Sequence, residues 1–161
     1  MFRIVRAAGL IAAIIAFALP SYAEEEGSGK CSGLRAGYGI DPDQFVIGLQ
    51  GDFGNVLKIA HLAASADAGF GDNLTTIVLG ADALVFLPLP KSDVSFYGAA
   101  GPALTIWTPD QGETDTEIGL ALTIGARFPL GDSGWYNLEG RFGVGDVPDV
   151  RILLGVLFGG R

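Results

Sequence analysis

What this chain of 161 residues lacks is informative. It has one cysteine, Cys31, so no internal disulfide can form. A lipoprotein would carry its modified Cys directly behind the apolar part of its signal. Cys31 instead lies eight residues beyond Ala23 and follows Lys30, so it reads as an incidental thiol in a flexible lead. Basic residues are scarce: ten Lys and Arg stand against 18 Asp and Glu, a formal charge of −8. Such a balance argues against nucleic acid, and against anionic headgroups as direct partners. After the N-terminal segment no stretch offers about 20 consecutive apolar residues, so no transmembrane helix is expected. Nothing reads as an amphipathic helix of useful length, and no repeat exceeds a hairpin.

What is present begins with an export signal. Arg3 and Arg6 precede the thirteen-residue apolar run Ala7–Leu19, which Pro20 and then Ser21-Tyr22-Ala23 follow. A basic start, a short apolar run and a small-x-small site mark residues 1–23 as a cleaved signal peptide. Its loss removes Arg3 and Arg6 and leaves eight basic against 18 acidic residues, a formal charge of −10. Residues 24–32, opening on EEEGSGK, have the composition of a flexible N-terminal lead. Residues 33–161 remain for one domain.

That domain reads as strands. From Glu117 to Phe128, Ile118, Leu120, Leu122, Ile124, Ala126 and Phe128 fall on one face, while Gly119, Ala121, Thr123, Gly125 and Arg127 fall on the other. Twelve residues is long for a soluble strand and sufficient for a tilted strand across a bilayer. The less apolar face is mostly Gly and small residues. That is wrong for a solvated sheet surface, where Gly weakens the strand, and right for the interior of a narrow barrel. Turn signals divide the chain into eight such segments: Leu34–Ile40, Gln44–Phe53, Leu57–Phe70, Leu74–Leu87, Val94–Trp107, Thr116–Leu130, Trp135–Gly145 and Val150–Phe158. Turns this short make consecutive strands antiparallel neighbours, and an even count in an up-and-down meander can close. The expected fold is an all-β, eight-stranded antiparallel transmembrane barrel with its apolar side outward. Near Gly101-Pro102 the pattern blurs and predicts a bulge.

The proposed interior carries Arg35, Arg127, Arg141 and Arg151 against Asp67, Asp82, Glu117 and Glu139, four charges of each sign. Buried charges need partners, so a balanced set supports the inside-out arrangement. Tyr38, Phe53, Phe70, Trp107, Phe128, Trp135, Tyr136 and Phe158 sit toward strand ends, as lipid-boundary girdles do.

Segments such as LRAGYGIDPDQFVIGLQ, YGAAGPAL and EGRFGVGDVPDVRILLGVLFG resemble the porin-family β-barrel domains of Gram-negative-type bacteria, in the broad OmpA-like or OmpX-type class. The resemblance covers the signal peptide and residues 33–158. It implies location in the cell outer membrane, lipopolysaccharide and phospholipid as surroundings, and insertion by the barrel assembly machinery. It also implies short periplasmic turns at one end and cell-surface loops at the other. Such chains usually finish on an aromatic, whereas here Phe158 is followed by Gly159-Gly160-Arg161. No peptidoglycan-binding domain is expected, and a monomer is.

Candidate chemistry is sparse. His61, Ser65 and Asp67 share one face of the third segment, and small outer-membrane acyltransferases and lipid A deacylases use His with Ser and an acid. Residues four apart on a strand are about 13 Å apart, too far for His61 to activate Ser65. No catalytic, cofactor or metal residues are therefore assigned. Asp41, Asp43, Asp72, Asp110, Glu113, Asp115, Asp146 and Asp149 collect on one rim without Lys or Arg, but no loop has EF-hand spacing. Asp favours turns in any case. The expected function is structural or surface-interacting, with no catalysis. The alternative is a narrow cation-favouring pore. A lipid A-modifying enzyme and a secreted ligand-binding barrel stand further back.

Overall fold

The structure, a computed structural model, describes residues 30–57, 59–87 and 92–159. The export segment 1–23, most of the acidic lead and the final two residues lie outside the described residues. Eight strands follow one another: β1 (Cys31–Asp41), β2 (Gln44–Leu57), β3 (Ala60–Gly71), β4 (Leu74–Leu87), β5 (Ser95–Pro109), β6 (Asp115–Leu130), β7 (Gly134–Gly145) and β8 (Val150–Gly159). Each pairs antiparallel with the next, and β8 pairs with β1 to close a barrel. Closure satisfies every strand's ladder, which is the condition for a sheet to cross hydrocarbon.

The alternation read from the sequence sets the two faces. Leu34, Phe45, Ile47, Leu120, Leu122, Ile124, Leu138, Ile152 and Leu154 are exposed on the outside. Arg35, Asp67, Asp82, Thr123, Asn137, Glu139, Arg141 and Arg151 are buried inside. Tyr38, Phe45 and Phe70 ring the end that carries the β1–β2 and β3–β4 turns, and Phe53, Phe96, Phe128, Tyr136 and Phe158 ring the other. Trp107 and Trp135 depart from the expected girdle. They share the inward register of Thr105 and Asn137, two residues along each strand, and are half-buried.

Three further expectations are corrected. The second strand does not stop at Gly54-Asn55. Gly54 takes φ 79° and the pairing shifts register between Asp52 and Asn55, after which the strand resumes to Leu57. A glycine with positive φ serves a bulge as well as a turn, so the sequence signal is shared. No bulge occurs at Gly101-Pro102. Gly80 faces Ala103 and Ala83 faces Ala100 in one unbroken register. Pro102 lacks an N–H and loses a bridge without inserting a residue. Finally, Cys31 is not in a flexible lead: it opens β1 opposite Asp52 and is buried.

Candidate functional site

The interior is the part of the molecule where polar chemistry concentrates. Arg35 on β1 is its hub. Its Nε and Nη2 donate to Asp67 Oδ1 and Oδ2 on β3 at 2.8 and 2.7 Å. Its Nη1 donates to Glu139 Oε2 on β7 at 2.6 Å. Asp67 Oδ2 also receives Arg151 Nη1 at 3.0 Å. Glu139 Oε1 lies 2.6 Å from the Tyr97 hydroxyl and 3.0 Å from Asn137 Nδ2. Arg141 donates to Asp82 at 2.9 Å and to Ser65 Oγ at 3.0 Å. The strands that carry these groups are far apart in sequence, and the narrow diameter of eight strands lets long side chains meet across the lumen.

A second group lies nearer the termini. Asp52 Oδ2 receives Arg127 Nη1 at 2.9 Å, and Asp52 Oδ1 lies 2.9 Å from His61 Nδ1. The Arg127 guanidinium sits 5.0 Å from the Phe86 ring centre and 5.2 Å from that of Tyr97. These faces stack a cation that would otherwise be poorly solvated. Tyr97 reaches its place because Gly125, inward on β6, has no side chain; a Cβ there would meet the Tyr97 ring.

The ion pairs correct one member of the expected set. Glu117 is half-exposed at the rim and makes no ion pair among the described residues. Asp52 takes its place, so four arginines still balance four acids. Asp52 was legible on the polar face of β2, two residues after Gln50. Its role was obscured because a turn was expected immediately behind it. Tyr97 was hidden by the irregular pattern of β5.

The candidate catalytic trio does not assemble. His61 goes to Asp52, Ser65 to Arg141, and Asp67 to Arg35 and Arg151. The eight rim acids are all exposed, and among the described residues no group of His, Cys, Asp or Glu is arranged to hold a metal ion.

Toward the acidic rim the lumen mixes buried polar side chains, Thr105 and the hydrogen-bonded pair Thr76 and Gln44, with an apolar cluster. Val147 from the β7–β8 turn is 4% exposed and packs with Val78, Ala103 and Ala121. Gly119 and Gly143 leave the recess that its methyl groups occupy. The turn is held down by Gly143 N–H to Asp149 O at 2.8 Å and Asp149 N–H to Asp41 O at 2.9 Å. The Val147 cluster plugs part of the lumen beside the paired charges.

No protein-family model matches the chain, and no curated protein sequence matches it. Solved structures do match. Neisserial surface protein A, at 18% identity, superposes with a TM-score of 0.66 over 83% of this chain and 99% of that one. The N-terminal β-barrel domain of Pseudomonas aeruginosa OprF, at 16% identity, gives 0.63 over 83% and 98%. A de novo designed transmembrane β-barrel, at 15% identity, gives 0.56 over 84% and 98%. At these identities the likeness speaks to architecture. A designed barrel among the matches underlines that this architecture does not by itself specify an activity. The chain has the closed eight-stranded fold of small outer-membrane β-barrels.

Proposed function

We propose that this protein is an integral outer-membrane barrel with a structural or surface-interaction role and no catalytic site. The observation that carries the reading is the inversion of the barrel. A continuous apolar belt faces outward around a packed, charge-balanced interior, an arrangement suited to lipid and costly in water. Export through the cleaved signal 1–23 and insertion by the barrel assembly machinery follow from that placement, with lipopolysaccharide and phospholipid as the surrounding partners and a monomer as the working form. The acidic rim, opposite the chain termini, then faces the cell exterior. A pore is disfavoured by the Val147 plug and the Arg35 layer, and lipid A modification by the separate partners of His61, Ser65 and Asp67.

Cell fractionation with heat-modifiable gel mobility tests the placement. The protein should pellet with outer membranes, need detergent for extraction, and migrate faster unboiled than boiled. Recovery in the detergent-free periplasmic fraction would sink the proposal.

A further inference from the structure

The β7–β8 turn, Asp146–Asp149, is a strap folded into the mouth of the lumen. Val147 and Pro148 are buried, whereas Asp146 and Asp149 are exposed. Burial of Val147 against Val78, Ala103 and Ala121 favours this closed position. The strap is tied through Asp149: Gly143 N–H donates to Asp149 O at 2.8 Å, and Asp149 N–H donates to Asp41 O at 2.9 Å. Gly145, at φ 91°, supplies the left-handed step by which the chain leaves β7 and enters the strap.

Two features oppose closure. The first lies in the wall that Val147 packs on. Thr105 is 0% exposed, pairs in register with Val78 and lies two residues along β5 from Ala103, both of them members of the Val147 cluster. Its hydroxyl makes no hydrogen bond within the protein. A buried hydroxyl without a partner carries a cost that water would relieve. The second feature is charge. Asp146 and Asp149 share the rim with Asp41 and Asp43 of the β1–β2 turn and with Asp115 and Glu117 of β6. The bond from Asp149 to the Asp41 backbone keeps two acidic residues side by side. Arg151, two residues beyond Asp149, does not relieve them: it is buried and bonded to Asp67. Like charges repel, and salt weakens the repulsion. We propose that the β7–β8 turn is a lid sensitive to ionic strength, closed when salt screens the rim carboxylates and open when it does not. Opening lifts Val147 from its seat and lets water reach Thr105. The paired layer around Arg35 stays in place, so the lid controls access to the mouth and not the passage of ions. The inference is independent of the barrel's surface partners.

The test is amide hydrogen exchange by NMR on the refolded barrel in nanodiscs of zwitterionic lipid. Sodium chloride is compared at about 0.01 M, where charges act over about 30 Å, and about 0.15 M, where they act over about 8 Å. The Gly143 and Asp149 amides should exchange at least threefold faster at low salt, while the mid-strand Leu122 amide should not change. A negative rim repels hydroxide most at low salt, which by itself would slow exchange, so the expected sign belongs to opening. Asp146→Asn with Asp149→Asn should abolish the salt effect. Thr105→Val removes the stranded hydroxyl and should slow exchange at both amides at least threefold at either salt concentration. If neither variant refolds, the wild-type salt comparison still decides. Salt-independent exchange in the wild type would overturn the proposal. So would an equal rise at Leu122, faster exchange in Thr105→Val, or protection by magnesium where sodium at the same ionic strength gives none.

Discussion

Arg35 holds both carboxylate oxygens of Asp67 through two separate nitrogens, at 2.8 and 2.7 Å, while a third nitrogen reaches Glu139. This forked pairing uses the planar geometry of guanidinium, and Lys could not reproduce it. Asp67 is shared with Arg151, so it compensates two cations at once. Replacing it with Asn should cost about 3–5 kcal/mol, because two arginines lose their carboxylate inside a low-dielectric lumen. Urea unfolding in lipid vesicles reads this directly. Asp72→Asn, on an exposed turn, should stay within about 0.5 kcal/mol of wild type. Equal small losses at both positions would mean the interior is open to solvent.

The outward belt should show the depth dependence of a bilayer. Leu122 lies mid-strand between Ala100 and Phe142, whereas Ile118 lies near the acidic rim. Leu122→Arg should cost about 2–4 kcal/mol and Ile118→Arg about 0–1 kcal/mol. Refolding yields and unfolding midpoints in vesicles measure both. If the two variants behave alike, the belt does not lie across hydrocarbon as described.

How much of this was legible beforehand follows from period two. A strand sends alternate side chains to opposite faces, so the inside and outside of β2, β3, β6, β7 and β8 could be read residue by residue, and the arginines fell inside without any three-dimensional knowledge. Pairing partners could not be read. Which acid meets Arg127 depends on the stagger of strands around the barrel, and that is a global property of closure. Asp52 was lost for a local reason: Gly54 marks a bulge with the same residue type that marks a turn. Val147 was lost because turn residues are usually exposed, and only the glycines at 119 and 143 leave room for one to fold inward.

Gly125 should act through Tyr97. A methyl group at position 125 would press on the Tyr97 ring and displace its hydroxyl from Glu139. Gly125→Ala should therefore destabilise by about 1–3 kcal/mol, the range for overpacking. In a Tyr97→Ala background the same change should be nearly neutral. A double-mutant cycle measures the difference as coupling. An additive cycle would mean that the glycine serves its own backbone and not the tyrosine.

Cys31 provides a natural reporter of β1. It is 6% exposed and opposite Asp52, with its side chain on the inward register of Arg35. A membrane-impermeant maleimide should leave the folded barrel unmodified for hours and label the urea-unfolded chain within minutes. Rapid labelling of the folded protein would return Cys31 to a flexible lead and shorten β1.

The last expectation concerns ions. Two groups of side chains obstruct the lumen: the apolar cluster of Val147, Val78, Ala103 and Ala121, and the charged layer around Arg35, Asp67 and Glu139. The first excludes ions by leaving them unhydrated, and the second fills the cross-section with paired side chains. Purified protein in planar bilayers should therefore give no steady conductance. Val147→Gly should remain silent as well, because the charged layer still stands beneath it. Thinning the second layer with Arg35→Ala in that background is expected to admit ions. Its exposed carboxylates, Asp67 and Glu139, would then make the current cation-selective. A steady current through the wild-type barrel would show that the paired layer opens on its own. A current through Val147→Gly alone would show that the plug is the main barrier, and the balance between the two layers would have to be reversed.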